Sequence, residues 1–234
     1  MDIRFKPSRA FLKAVADSLK SLFLLLAILF LATLTGCKKE FDYTPYISEL
    51  RSNVLLAKTE HFTLRAYAVY KENPYLPDGI PREGNTRVEV YLTAPDGKET
   101  YHLYFPFDGR EFGGEMSYDS VKAEYFFSCT LDISTVETLP CRIEYGGNTI
   151  TLNARSIRQK DTLTPKEVLT ALQTAESELF SSLTDKYGFA GEIYIRLIYE
   201  ENPYYYVGII DRNGKVNAFL LNAQTGKVLA KRVS

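Results

Sequence analysis

Four carboxylates stand close together in the sequence around a glycine-rich turn, and their spacing could support acid–base or metal chemistry. They are Asp108, Glu111, Glu115 and Asp119. Two carboxylates in one cleft can act as acid and base, and carboxylate oxygens suit calcium. The segment lacks the alternate-position oxygen ligands of a calcium loop, so we favour a solvated hairpin. A hydrolytic enzyme that uses the acidic hairpin 108–119 is the alternative.

The chain has two histidines, His61 and His102, which argues against a metal site built from several histidines. The sequence also lacks the motifs of a nucleophilic serine elbow, a phosphate-binding loop, a paired Cys-x-x-Cys and a His-Glu-x-x-His zinc site. We therefore predict no catalytic residue, no metal ligand and no non-covalent cofactor.

Two cysteines, Cys129 and Cys141, lie in segments whose apolar residues alternate, which places each thiol on the apolar face of a strand. If the geometry allows, a disulfide between them would stabilise the fold by about 3 kcal/mol. Two buried free thiols that act as small hydrophobic groups fit the same pattern. The sequence leaves both interpretations open.

An uninterrupted apolar run, Leu22–Ala32, follows five basic residues and ends shortly before Cys37. This is the layout of a secretory signal. A transmembrane helix needs about 20 apolar residues, so we predict a signal peptide over residues 1–36 rather than a permanent span. An uncleaved signal anchor is the alternative.

The string Leu34-Thr35-Gly36-Cys37 resembles the lipobox of bacterial lipoprotein precursors. The resemblance implies cleavage between Gly36 and Cys37, with a diacylglycerol and an acyl lipid on Cys37. Several chains on one residue anchor a protein stably to a membrane. We therefore expect an extracytoplasmic protein on the cell membrane, or on the outer membrane of a host with two membranes.

The full sequence has 28 basic and 29 acidic residues. Without residues 1–36 it has 23 basic and 27 acidic residues, which gives a net charge near minus four. This charge argues against nucleic acid as a partner. A hydrophobic content of 45% predicts a globular protein rather than a disordered one. The remaining chain has room for one large or two small domains, and we predict two.

The first predicted domain covers residues 48–157, after a lipidated tether over residues 37–47. Its apolar residues recur with period two, and turns such as Pro95–Lys98 separate the segments. Seven or eight strands at this spacing predict an immunoglobulin-like antiparallel β-sandwich.

A polar segment, 158–164, is the predicted linker to a second domain over residues 165–234. Thr164, Pro165 and Glu167 form a helix start, and the helix is predicted to end at Gly188. Four strands follow, at 192–199, 204–211, 215–222 and 227–233. The predicted fold class is therefore mostly β and α+β, with a helix packed on a C-terminal antiparallel sheet.

The segments 205–216 and 221–229 resemble the PepSY domain of protease propeptides and exported bacterial proteins, although Asn222 replaces an acidic residue. The resemblance implies an interaction module that binds or restrains a protein partner such as a protease, and it carries over no catalytic residue.

The segment 71–86 is the predicted binding loop, because long loops of this kind often carry function. Its candidate residues are Asn73, Pro74, Tyr75, Pro77 and Pro81. Tyrosine-rich strands, including 204–206, could also stack on a glycan or peptide. We predict a non-catalytic, lipid-anchored binding lipoprotein of the cell envelope with a protein or peptide partner. A passive structural component is the remaining alternative.

Overall fold

The computed structural model describes residues 41–76, 78–95, 97 and 99–234. The predictions on the signal peptide, on Gly36 and Cys37, and on Pro77 concern residues outside this part. Within it, none of the helices combines the length and the apolarity that a bilayer span requires.

The described chain is 55% strand and 10% helix, so the prediction of a mostly β fold is confirmed. A 3-10 turn covers Thr44–Tyr46, and the helices are α1 (Pro165–Ala175) and α2 (Ser177–Ser182). The described residues form these strands: β1 (Ile47–Lys58), β2 (Thr63–Glu72), β3 (Gly84–Thr93), β4 (His102–Phe107), β5 (Arg110–Glu115), β6 (Ser117–Asp119), β7 (Glu124–Cys129), β8 (Thr138–Tyr145), β9 (Asn148–Ser156), β10 (Thr184–Asp185), β11 (Gly188–Phe189), β12 (Gly191–Glu200), β13 (Asn202–Asp211), β14 (Val216–Asn222) and β15 (Val228–Val233).

Thirteen of these strands form one sheet that forks at β1. The main path runs β15-β14-β13-β12-β1-β2-β3-β7-β6, and a branch runs β1-β9-β8-β4-β5. The first half of β1, from Ile47 to Arg51, pairs in parallel with β12, whereas Leu55 and Leu56 pair with β9. The branch curls until β5 lies beside β7, so this part of the sheet is nearly barrel-like.

The core of the barrel-like part is built from the inward side chains of alternating strand positions. Leu55, Leu64, Val90, Leu103 and Ile143 come from five different strands, and each is fully buried. Each such side chain contributes about 1.5–3 kcal/mol when it leaves water. The period-two pattern of the sequence therefore corresponds to one continuous hydrophobic core.

A second buried face covers strands β12 to β14. Ile195, Val207 and Phe219 are neighbours across these strands, and all three are fully buried. Helix α1 begins at the predicted position, because Thr164 and Glu167 form a capping box.

The prediction of one helix that runs to Gly188 is wrong. Glu176 has φ −121° and ψ 37°, which ends α1 and separates it from α2. In α2, the Phe180 ring lies 4.7 Å from that of Tyr43 and 6.0 Å from that of Phe189, measured between centroids. The aromatic cluster is formed by a separate short helix rather than by a straight continuation of α1.

Residues Tyr43–Ser234 form one compact unit. The predicted linker, 158–164, lies within this unit, and the parallel pair of β1 and β12 joins the sheet across it. The division into two domains stays a prediction, and the cooperativity of unfolding can test it.

Candidate functional site

The predicted binding loop connects β2 to β3 and spans residues 73–83, because the two strands extend further than the sequence suggested. The backbone N–H of Asn73 donates to the carbonyl of Glu83 over 3.1 Å and closes the base of the loop. Of the candidate residues, Asn73, Pro74, Tyr75 and Pro81 are described, and all four lie in this segment. The loop is the candidate functional site.

Two buried carboxylates hold the loop from outside. Glu192, at the start of β12, is 3% exposed and accepts hydrogen bonds from the N–H groups of Asp78 (2.9 Å) and Gly79 (3.4 Å). Glu72, at the end of β2, is 5% exposed and accepts one from the N–H of Arg82 (3.0 Å). The loop backbone is therefore fixed to the sheet.

Arg82 ties the loop to itself. Its Nη1 donates to Oδ1 of Asp78 (2.8 Å) and to the carbonyls of Leu76 (3.4 Å) and Ile80 (3.1 Å), and its Nη2 pairs with the other carboxylate oxygen of Asp78. The hydrogen bond from Arg82 lowers the pKa of Asp78 to about 2. Asp78 is therefore ionised, and able to pair with Arg82, at neutral pH.

The burial of the carboxylate of Glu192 is electrostatically unfavourable. Burial raises the pKa of Glu192 above its ordinary value, and the nearby charge of Glu72 raises it further. Oε2 of each carboxylate is buried without a hydrogen bond of ordinary geometry within the described residues, although the nearby Ser48 hydroxyl partly offsets the rise in the pKa of Glu192. Such a group is costly to bury, so the benefit lies in the loop amides that the other oxygen satisfies.

Neither anchor stands out in the sequence. Glu192 and Glu72 look like ordinary strand-end carboxylates, and the amides that Glu192 binds lie more than 110 positions away along the chain. The role of Gly79 is also not evident from the sequence. Its φ is +73°, and a Cβ at this position would lie 3.2 Å from the backbone of Phe189 and Gly191. Close approach to the sheet therefore requires glycine at this position.

Clefts flank the loop on two sides. One, of about 510 Å³, is mostly polar and includes Glu72, Asn73, Tyr75, Arg87 and Cys129 in its lining. The other, of about 500 Å³, is mostly apolar, and its lining includes Pro45, Ile47, Leu50, Tyr70 and Pro81.

The tip of the loop carries exposed apolar side chains. Leu76 is 46% exposed and Ile80 is 58% exposed, although the backbone around them is fixed. Both side chains are therefore accessible to another molecule.

The tyrosine-rich strand 204–206 does not present one stacking platform. Tyr205 is fully buried and its hydroxyl donates to the carbonyl of Leu163 over 2.7 Å. Tyr206 lies on the opposite face, with its ring 5.8 Å from that of Tyr194. Alternation along β13 therefore divides these tyrosines between the core and the outer face.

The acidic hairpin does not gather its carboxylates into a cleft. Glu111 is exposed and pairs with Arg142 over 3.0 Å, and Asp119 accepts hydrogen bonds from the N–H groups of Val121 and Lys122. Asp108 and Glu115 are exposed. In the described part of the chain, His, Cys, Asp and Glu form no group of three or more that could hold a metal ion.

Cys129, at the end of β7, is partly buried, and Cys141, in β8, is fully buried; both are free cysteines in the structure. Burial raises the pKa of both thiols, and that of Cys141 to about 12. Both thiols are therefore protonated and weakly nucleophilic at neutral pH. The disulfide stays a prediction.

Thiol counting tests this pair. In the mature protein, alkylation in denaturant without reductant is expected to modify two thiols, since Cys37 is expected to be blocked by lipid. Without denaturant, Cys141 is expected to react at least about a hundredfold more slowly than an exposed cysteine. Intact mass gives the count; a count of zero would indicate the disulfide, and a count of three would indicate an unmodified Cys37.

Comparison of the chain with models of protein families, with curated proteins and with solved structures gave no match.

Proposed function

We propose that this protein is a lipid-anchored extracytoplasmic binding protein, held at the membrane through Cys37, which contacts a protein or peptide partner through the tip of loop 73–83. It acts by binding rather than by catalysis. In this proposal the N-terminal part is an immunoglobulin-like sandwich and the C-terminal part a PepSY-like module. The observation that carries the proposal is the exposed Leu76 and Ile80 on a backbone fixed by buried carboxylates.

A fixed loop favours binding because little conformational entropy remains to be lost when a partner docks. Ordering one flexible residue costs about 1–2 kcal/mol. Here Glu72 and Glu192 fix the backbone N–H groups of Asp78, Gly79 and Arg82, and Arg82 pairs with Asp78. Binding energy from the tip is then available for affinity rather than for ordering.

The chemistry of the tip favours a protein partner over a glycan. Leu76 and Ile80 offer no hydrogen bonds and no aromatic ring on which a sugar could stack, and the neighbouring cleft of about 500 Å³ is mostly apolar. The fully buried centres of protein interfaces are more apolar than the rest of the protein surface. The PepSY resemblance adds a protease as one such partner.

Photo-crosslinking in intact cells tests the contact. A photoreactive amino acid at position 76 or 80 of the full chain is expected to give a discrete covalent product, whose partner mass spectrometry identifies. Position 121 is the matched control, because Val121 is 93% exposed but lies on a different turn. No product from positions 76 and 80, or an equal product from position 121, would rule out the loop as the contact.

A further inference from the structure

An open cleft of about 780 Å³ lies away from loop 73–83, where β1, β8 and β9 meet. Its lining comes from Asn53, from residues 134–138, from residues 155–156 and from residues 158–160. The last of these segments includes the start of the predicted linker. A volume of this size lies within the range of about 300–1,000 Å³ that small organic ligands occupy.

The cleft has an excess of positive charge. Arg155, Arg158 and Lys160 line it, and Glu137 is the acidic residue of the lining. Within the described residues, none of these three cations forms an ion pair. The protein carries a net charge of −1, so an unpaired group of three cations is a local departure from its composition.

Arg158 also acts on one carboxylate outside the lining, that of Glu167. The pKa of Glu167 is lowered first by hydrogen bonds from Thr164 and to a smaller degree by Arg158. Because Thr164 donates to this carboxylate through both its N–H and its hydroxyl, Glu167 is committed to the start of α1. It lies outside the lining and offsets part of the charge of Arg158 alone among the three cations.

The floor of the cleft is a fixed polar network. Asn53 is 1% exposed, and its Nδ2 donates to the carbonyls of Ile133 (3.2 Å) and Val136 (2.9 Å). The hydroxyl of Ser156 donates to Oδ1 of Asn53 over 2.7 Å, and the N–H of Arg158 donates to that hydroxyl over 3.1 Å. The backbone that carries the cations is therefore held by a buried side chain.

Arg158 itself is oriented but not saturated. Its Nη1 donates to the carbonyl of Ser52 over 3.1 Å, which leaves other N–H groups of the guanidinium for a ligand. The hydroxyl-bearing residues Ser134, Thr135 and Thr138 are also part of the lining. Guanidinium groups combined with hydroxyl donors match the oxygens of phosphate and sulfate.

We propose that this cleft binds a small organic ligand that carries a phosphate or sulfate ester, with Arg155, Arg158 and Lys160 around the anion. The cleft has room for an organic group beside the anion. The ester belongs either to a soluble sugar or to the headgroup of a lipid. This site is independent of the protein contact at loop 73–83.

Calorimetry on the full chain in detergent tests the proposal with named probes. Glucose 6-phosphate represents a soluble ester, glycerophosphoglycerol represents a lipid headgroup, and glucose is the neutral control. At least one of the two phosphates is expected to bind and glucose is not. Binding of only one probe identifies the source of the ester, whereas binding of neither phosphate, or equal binding of glucose, would overturn the proposal.

Variants that remove positive charge test whether phosphate binds in this cleft or to exposed cations elsewhere on the surface. The double variant R155Q/K160Q is expected to weaken the phosphate affinity by about tenfold or more. The matched variant R110Q/K186Q removes two exposed cations elsewhere and is expected to leave affinity unchanged. Lys160→Gln alone is also expected to weaken the phosphate affinity. Lys160 is exposed and lies outside the strands, so this variant does not disturb β9. An equal loss in R110Q/K186Q would refute a specific site.

Discussion

Replacing Glu192 by alanine is expected to lower the free energy of unfolding by about 2–4 kcal/mol, because two backbone N–H groups lose their acceptor and a small cavity remains. The N–H groups of Asp78 and Gly79 are the ones affected. Hydrogen exchange is expected to show lost protection in residues 78–82, and denaturant titration gives the free energy. Crosslinking from positions 76 and 80 is expected to decline as well.

Glu192→Gln is the matched control, because the amide keeps an oxygen acceptor and removes only the charge. Its loop protection is expected to equal that of the wild type at neutral pH. If Glu192→Ala and Glu192→Gln lose protection to the same extent, the charge and not the accepting oxygen holds the loop, contrary to our interpretation.

Glu192→Gln also tests the pH dependence of the free energy of unfolding. Since burial raises the pKa of Glu192, the folded protein keeps this proton at pH values where the unfolded chain has released it. The contribution of Glu192 to stability is therefore greatest below its ordinary pKa and falls as pH rises through the raised one. This part of the pH dependence is expected to be absent in Glu192→Gln.

Phe219→Ala is expected to have the largest effect on stability, about 3–5 kcal/mol, because removing a fully buried ring leaves a cavity in the hydrophobic core. Phe219 lies in the middle of β14, opposite Val207. Since the sheet is continuous through β12 and β1, protection is expected to fall together in residues 63–93 and 204–222. Hydrogen exchange with mass spectrometry measures both segments in one experiment.

Phe105→Ala provides the matched control in the barrel-like part, where this ring is also fully buried. Both variants are expected to destabilise both segments. If Phe219→Ala affects only residues 165–234 and Phe105→Ala only residues 48–157, the two predicted domains unfold independently and the joint between β1 and β12 contributes little.

Features that depend on neighbours along the chain were predictable from the sequence. The capping box at Thr164 and Glu167 and the turn at Asp211–Gly214 are local, and the structure has both where the pattern put them. Strands β12 to β15 differ from the predicted segments by a few residues at their ends. Local hydrogen bonds and side-chain alternation determine these elements, so a single sequence carries enough information.

Features that depend on distant pairing were not predictable. The parallel contact of Ile47–Arg51 with β12 joins residues more than 140 positions apart, and no local pattern encodes it. The same holds for the candidate site: prolines and asparagine identified the loop, but its anchor Glu192 comes from the far end of the chain. The break at Glu176 was not predictable either, because the helical pattern of the sequence continues through it.

The fork at β1 sets an order on assembly. β1 leaves the ribosome near the beginning of synthesis, but the partner of its first half, β12, is made about 140 residues later. During that interval one edge of the nascent strand has unpaired amides and carbonyls, which other strands could occupy. A chain truncated before Gly191 lacks β12 and would keep this edge unpaired. Loss of the last 44 residues would therefore leave the first half of β1, near the N-terminus of the folded part, open to aggregation.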